Sequence, residues 1–396
     1  MSQSPGGSAP VDGAPIDLAI VGGGLAGGLI ALALAGRRPE VKVALIEAGD
    51  HFGGNHLWSC FASDIAPDHR WLIAPLISHA WDGHEVRFEG QQRILPQSYQ
   101  SIESERLDAA LRAALPTDAL WTGTAVDLVT ATSVRLADGR TIAARGVIDA
   151  RGPGDLSALR LGYQKFVGQR LELASPHGLV RPVIMDATVD QADGYRFVYV
   201  LPFGSRSVFV EDTYYSTEAA LDVPLLERRI ADYAAAQGWV VDAVGRTETG
   251  VLPVCSGGDF ESFWRGDAPG VAKAGLRGGF FHAMTGYSLV DAVRVAMAVA
   301  ALDDLSGPAL HAALHRRAQT HWRGQGFYRI LARLLFDAAD PPERHRVLAR
   351  FYRLDPALID RFYAGRSTIF DKVRIMTGKP PVPLGRAIAA LGARDK

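Results

Sequence analysis

Asp17-Leu-Ala-Ile-Val21-Gly22-Gly-Gly24-Leu-Ala-Gly27-Gly-Leu-Ile-Ala-Leu-Ala-Leu34, closed by Val41-Lys-Val-Ala-Leu-Ile-Glu47-Ala48, is the stretch on which the fold turns. The apolar run Leu18 to Val21 reads as a buried strand. Gly22, Gly24 and Gly27 give G-x-G-x-x-G spacing, and an Ala/Leu-rich helix follows. Gly22 suits the tight turn, Gly24 lets backbone approach a pyrophosphate, and Gly27 lets helix and strand pack closely. The helix N-terminus offers free N–H groups and a positive dipole end to phosphates. A second strand, Val41 to Ile46, ends in Glu47, placed to take both hydroxyls of a ribose. Glycine-rich turns are common, but strand, glycines, helix, strand and acidic terminus in this order point to dinucleotide binding rather than a merely structural βαβ unit.

Around this unit the chain is long. Its 396 residues exceed what one core usually serves, so two domains are expected. Apolar content of 48% and charged content of 21% are those of a globular protein. Residues 1–16, rich in Gly, Ser and Pro, read as a disordered tail without the basic start and apolar core of a signal peptide, which predicts retention in the cytoplasm. No run of 18 uncharged apolar residues predicts a transmembrane helix. Cys60 and Cys255 are too few for a disulfide framework or a metal site and read as buried thiols. The net charge of −1 hides a segregation: residues 311–396 carry 17 Lys+Arg against 7 Asp+Glu. That balance suggests an anionic partner, nucleic acid or membrane. No nucleic-acid motif accompanies it, which favours the membrane.

Further candidates follow in order. Gly53-Gly54 after the second strand lets the chain lie against a flat cofactor, or is simply a turn. Ser104 to Leu115 reads as a helix with Leu107, Leu111 and Leu115 as its buried stripe, capped by Ser104. Arg106 on it either reaches a pyrophosphate or faces solvent. Asp138-Gly139 marks a hairpin turn. Gly146-Val-Ile-Asp-Ala-Arg151-Gly152 is an apolar strand ending in small residues, similar to the segment by which flavin hydroxylase-type proteins re-enter the nucleotide domain. That return favours FAD over NAD. Residues 156–269 are β-rich. In Ser207-Val-Phe-Val-Glu211-Asp212-Thr213, alternation puts Phe209, Glu211 and Thr213 on one face and Val208, Val210 and Asp212 on the other. Either Glu211 sits in grease with a raised pKa, as a general acid requires, or the strand emerges into solvent there. Gly286-Tyr287-Ser288 opens another helix, with Ser288 as N-cap and a positive end suited to the pyrimidine edge of a flavin. His282 is either catalytic or orients the glycine-rich loop.

The stretches Asp17–Ala31, Gly194–Phe203, Val210–Tyr215 (with Glu-Asp-Thr), Phe281–Leu289 (with Thr-Gly-Tyr-Ser) and Phe370–Pro383 resemble bacterial lycopene beta-cyclases over about residues 17–385. One departure is Ala283-Met284, where the family pattern has proline after the histidine. The resemblance implies a flavoprotein that binds FAD, keeps it reduced with NADPH, and closes the ends of lycopene and other acyclic-ended carotenoids into β-rings without net redox change. It implies Glu211 as the acid, with Asp212 orienting or tuning the site. Gly22, Gly24, Gly27, Glu47, Gly54, Arg106, Gly152, Gly286, Tyr287 and Ser288 would hold the cofactor. A flavin monooxygenase or a prenyl-chain reductase would share the nucleotide segments. The expected architecture is α/β: a Rossmann-type FAD domain (17–155 plus 270–305), a mixed β-sheet substrate domain (156–269) and a helical, basic region (306–396). In the last, Phe327 to Phe336 has an apolar helical stripe with Arg329 and Arg333 off it. Such a helix either rests in the headgroup layer of a peripheral membrane site or packs on the core.

Overall fold

A computed structural model describes residues 15–191, 194–378 and 382–392. The tail expected over 1–16 lies, for its first fourteen positions, outside them. Strand Ile16–Val21 is central to the first sheet, parallel to Val43–Ile46 on one side and to Thr141–Asp149 on the other. Leu120–Trp121 extends the parallel set, and the antiparallel strands Ser133–Leu136 and Val126–Val129 complete it through the Asp138-Gly139 turn. Leu18 to Val21 are fully enclosed, as a continuous apolar run in a parallel sheet must be. Helix Leu25–Arg37 covers this sheet beside helix Leu289–Ala300. Late in the chain, Ala272–Lys273 pairs in parallel with Thr141–Asp149, so two distant segments serve one layer. This is a mixed α/β fold of the Rossmann type, with β-rich and helical parts attached.

Gly22 is where the first turn is tightest. It has φ +104°, and a Cβ there would lie 2.6 Å from the carbonyl of Ala150. A Cβ on Gly27 would lie 2.0 Å from the Gly22 oxygen. Gly24, by contrast, has extended backbone and nothing within 4 Å of a would-be Cβ. The first and third glycines serve the protein; the middle one faces open space.

The second sheet runs in the order Val241–Gly258, Leu159–Leu173, Ser207–Ser216, Tyr195–Pro202, Val183–Asp186, His84–Phe88, Gln91–Leu95. It draws its last two strands from within the 17–155 stretch. Both faces of its central strands are apolar because both are covered. Val198, Val200, Val208 and Val210 pack under helix Val223–Ala236 through Leu226 and Ile230. The opposite face, with Tyr195, Phe197, Tyr199, Leu201 and Phe209, joins the main core.

The C-terminal region is helical. Helix Gly326–Arg333, continued by a π-helical turn Leu334–Ala338, packs against strand Val241–Gly258 and the last helix, Leu384–Gly392. Of the two alternatives for Phe327–Phe336, the helix packs on the core, and its two arginines turn inward. Both are buried: Arg329 lies over the Trp322 ring at 3.9 Å, and Arg333 donates to the Ser256 carbonyl at 3.0 Å. The stripe residues Phe327, Ile330, Leu331 and Leu334 are the half-exposed ones. Guanidinium groups satisfy backbone carbonyls and stack on indole, so the charged side turns inward. Helix Ile369–Met376 does the reverse of a usual surface helix. Asp371 is tied inward to Arg361 at 2.6 and 2.7 Å, while Ile369 and Phe370 are 77% and 87% exposed, with Val373 and Met376 beside them. Among the described residues no helix is long and apolar enough to cross a membrane.

Candidate active site

A cavity of about 700 Å³ runs from the glycine turn to the second sheet. Its nucleotide end is built by Gly22, Gly24, Glu47, Gly54 and Gly152; its far end by Gly286, Tyr287, Ser288 and the sheet face carrying Glu211. Of the cofactor-binding candidates, Gly27 serves packing and Arg106 does not reach the cavity: it is exposed on its helix. Glu103, not Ser104, takes the N-cap position of helix Ser104–Ala114, and the Ser104 hydroxyl accepts from the His56 N–H at 3.3 Å and from Arg246 at 3.0 Å.

Glu47 ends the second strand with its carboxylate already oriented: one oxygen accepts from Gly23 N–H at 2.7 Å, the other from Gly49 N–H at 2.8 Å. Each oxygen keeps a lone pair for ribose hydroxyls. No side chain caps the N-terminus of helix Leu25–Arg37, so the amides of its first turn are left for a ligand. Open space at Gly24, an uncapped helix end and a fixed carboxylate fit the diphosphate and ribose of a dinucleotide. At the other end Ser288 is the N-cap of helix Leu289–Ala300, again with no side-chain cap bond. Gly286 before it has φ +72°, and a Cβ would lie 2.7 Å from that of Leu252. This glycine is dictated by contact with the sheet, not only by ligand approach.

The floor of the cavity follows from strand register. Tyr199, Glu211, Gly168 and Glu248 stand side by side on four adjacent strands and therefore share one face. Glu211 opens only partly, toward the cavity. Burial pushes its carboxyl up to about 8; the Thr213 hydroxyl, donating at 2.6 Å, opposes this, and the charges of Glu248 and Asp212 add to it. An acid still protonated at neutral pH faces an apolar chamber with Phe166, Tyr199 and Leu201. Asp212 is on the other face, fully buried, with the Arg196 guanidinium bound to both its oxygens at 2.5 to 3.1 Å. It does not line the cavity, so the two acids are separated by the strand itself.

His282 is a structural residue. Its Nε2 donates to the Phe362 carbonyl at 3.1 Å, its Nδ1 accepts from Met284 N–H at 3.3 Å, and burial lowers its pKa to about 4. Tyr287 hydrogen-bonds Tyr199 hydroxyl to hydroxyl, linking the helix start to the floor. Sequence pattern gave no sign of Glu248 and His56. Glu248 sits in Arg246-Thr-Glu-Thr-Gly250, a polar run without apolar alternation, and register alone aligns it with Glu211.

The chain matches the family model described as lycopene cyclase protein over residues 17–389. It is 48% identical to a lycopene beta-cyclase from Pseudescherichia vulneris over 93% of this chain and 95% of that one. It is 46% identical to a lycopene beta-cyclase from Pantoea ananas, over 94% and 97%. Among solved structures, a geranylgeranyl bacteriochlorophyll reductase-like protein from Thermoplasma acidophilum superposes with TM-score 0.61 at 13% identity, over 95% of this chain and 98% of that one. The flavin-dependent brominase Bmp2 superposes with TM-score 0.55 at 13% identity, over 89% and 94%. These two share the fold.

Proposed function

The chain belongs to the lycopene cyclase family, and from that premise we propose that it is a flavin-dependent cyclase converting the acyclic ends of lycopene to β-rings, a step of carotenoid biosynthesis. FAD is the cofactor that the nucleotide end of the cavity fits, and we assign NADPH as its reductant on the family resemblance. The observation that carries the reading is Glu211: a carboxylic acid kept protonated by burial, on the floor of the same cavity that the glycine turn opens into.

A hydrocarbon offers no hydrogen-bonding handle, so the chemistry must begin with a strong, desolvated proton donor. Glu211 gives its proton to C2 of the terminal C1–C2 double bond, leaving a cation at C1. The C5–C6 double bond attacks C1, closing the ring and moving the charge to C5. Loss of the C6 proton forms the ring double bond. Thr213 holds one Glu211 oxygen and thereby aims the other. Aromatic Phe166 and Tyr199 enclose the cation and exclude water that would trap it. A bound reduced flavin supplies negative charge near the developing positive charge. Asp212, paired with Arg196 behind the strand, positions Glu211 without touching substrate.

The test is anaerobic incubation of lycopene with protein and reduced FAD. Ring-bearing product of unchanged mass, with NADPH consumption far below product, supports a cyclase. Hydrogenated or oxygenated product in proportion to NADPH would indicate a prenyl-chain reductase or a monooxygenase and overturn the reading.

The substrate is water-insoluble, and we place this enzyme peripherally on a membrane. The outward apolar face of helix Ile369–Met376 supports that placement, as does the basic excess of residues 311–396, which complements anionic lipid. The protein is expected to cosediment with anionic liposomes and to be released by detergent more fully than by salt.

A further inference from the structure

Ring closure needs a proton taken away as well as one given. C2 and C6 are both bonded to C1, so donor and acceptor must flank one small ring. Across the floor from Glu211, one strand beyond Gly168, stands Glu248. Strands lie about 4.8 Å apart, so the two acids root roughly 10 Å from each other on a common face. Between them position 168 has no side chain, and the edge of Phe209 fills the place: a Cβ there would lie 2.2 Å from Phe209 Cζ. This apolar wedge keeps the carboxyls from sharing one proton.

The surroundings of the two acids differ. Glu211 is held by the fully buried Thr213. Glu248 has its side chain 2% exposed and lines the cavity, yet it accepts from Leu57 N–H at 2.9 Å and meets His56 Nδ1 at 3.2 Å. The His56 side chain is 50% exposed. Both carboxyls line the cavity, but Glu211 has, among the described residues, only a hydroxyl for a partner, whereas the more deeply buried Glu248 meets an imidazole that is itself half exposed. The negative charge on Glu248 also helps keep Glu211 protonated, the separation of roles found in paired acid–base sites.

We propose that Glu248 is the base that removes the C6 proton and that His56 passes that proton to solvent. The proposal rests on the cyclisation reading above. The C6–H bond breaks, its electron pair becomes the C5–C6 double bond and cancels the charge at C5, and the proton goes to a Glu248 oxygen. His56 Nδ1 takes it while the opposite ring nitrogen releases one to water. Glu211, left ionised, regains a proton from water between turnovers. One proton enters and one leaves per ring.

Glu248→Gln tests this, because glutamine still accepts from Leu57 N–H and donates to His56 but cannot take a proton. The holoenzyme variant, with flavin binding checked by absorbance, is incubated anaerobically with lycopene and reduced FAD, and ring type is read by NMR. The expected result is a fall in β-rings of about 10²–10⁴-fold. The C5 cation then loses a proton from C4 or from its methyl group, or captures water. Rings that remain purely of the β type overturn the proposal, however slow they form, since a merely structural role would slow turnover without redirecting it. Wild-type enzyme in D₂O supplies a measurement independent of any variant. One deuterium per ring is expected, and less than one means that Glu211 recycles the C6 proton itself, which refutes the exit through Glu248. No ring from the wild-type enzyme overturns the cyclisation reading and this step with it.

Discussion

Replacing Glu211 by glutamine separates two consequences of one buried carboxyl. Its pKa lies near 8 in place of the ordinary 4.5, chiefly because burial penalises the charged form. In the unfolded chain the same group ionises near 4.5. Between those two values the folded protein holds a proton that the unfolded chain has released, so stability falls as pH rises, by about 1.4 kcal/mol per unit. Over the whole window the loss is roughly 5 kcal/mol at pH 8 and above. The glutamine variant has no such titration. Its melting temperature relative to the wild type should rise in the variant's favour from pH 5 to pH 8 and level off above. Cyclisation goes the other way: below pH 8 loss of the acid costs about 10²–10⁴-fold in rate, with flavin binding retained, and the deficit narrows above pH 8 as the wild type loses its own acid form. In the wild type, kcat/KM is sustained below pH 8 and falls about tenfold per unit above it, as the acid form disappears. A variant that cyclises at near-normal rate, or a melting difference that ignores pH, would remove Glu211 from the mechanism.

The glycines give a matched pair. Gly24→Val leaves the fold intact, because its backbone is extended and nothing lies within 4 Å; FAD affinity, read by fluorescence titration, should fall at least about tenfold, near 1.4 kcal/mol. Gly22→Ala meets both φ +104° and the Ala150 backbone, so it should reduce the yield of folded protein itself. Arg196→Met removes the guanidinium that binds both oxygens of the buried Asp212 and should cost up to about 3–5 kcal/mol in chemical denaturation; Asp212→Asn should weaken stability while sparing the protonation step more than the change at Glu211 does. Phe370→Asp with Val373→Asp should abolish liposome cosedimentation without changing the melting temperature, since both side chains are exposed; undiminished binding would move the membrane contact elsewhere.

The nucleotide half was legible because its information is local. Val21, Gly22, Gly24 and Gly27 lie within seven residues; Gly22 and Gly27 answer steric demands of that turn, and Gly24 leaves open space beside it. The alternation through Glu211 and Asp212 likewise assigns one acid to each face of the strand. What alternation does not carry is which of those faces is wet. Helix Val223–Ala236 covers the Asp212 side and the cavity opens on the Glu211 side, a choice made by elements outside the strand. Periodicity was equally blind around Arg329 and Arg333: it found the stripe, but stacking on Trp322 and a bond to the Ser256 carbonyl turned the charged side inward.

By itself, the sequence determined the strand–turn–helix whose geometry fits a dinucleotide, the β-rich run bearing an acidic pair, and the basic excess of the last segment. These are properties of spacing and composition, carried by neighbouring residues. Only the tertiary structure decided that Glu248, 37 residues beyond Glu211, stands on the same floor, that Asp212 answers to Arg196, and that Arg106 stays outside. Register between strands distant in the chain fixes those relations. Hydrogen bonding across a sheet depends on the whole fold closing, and no local pattern records it.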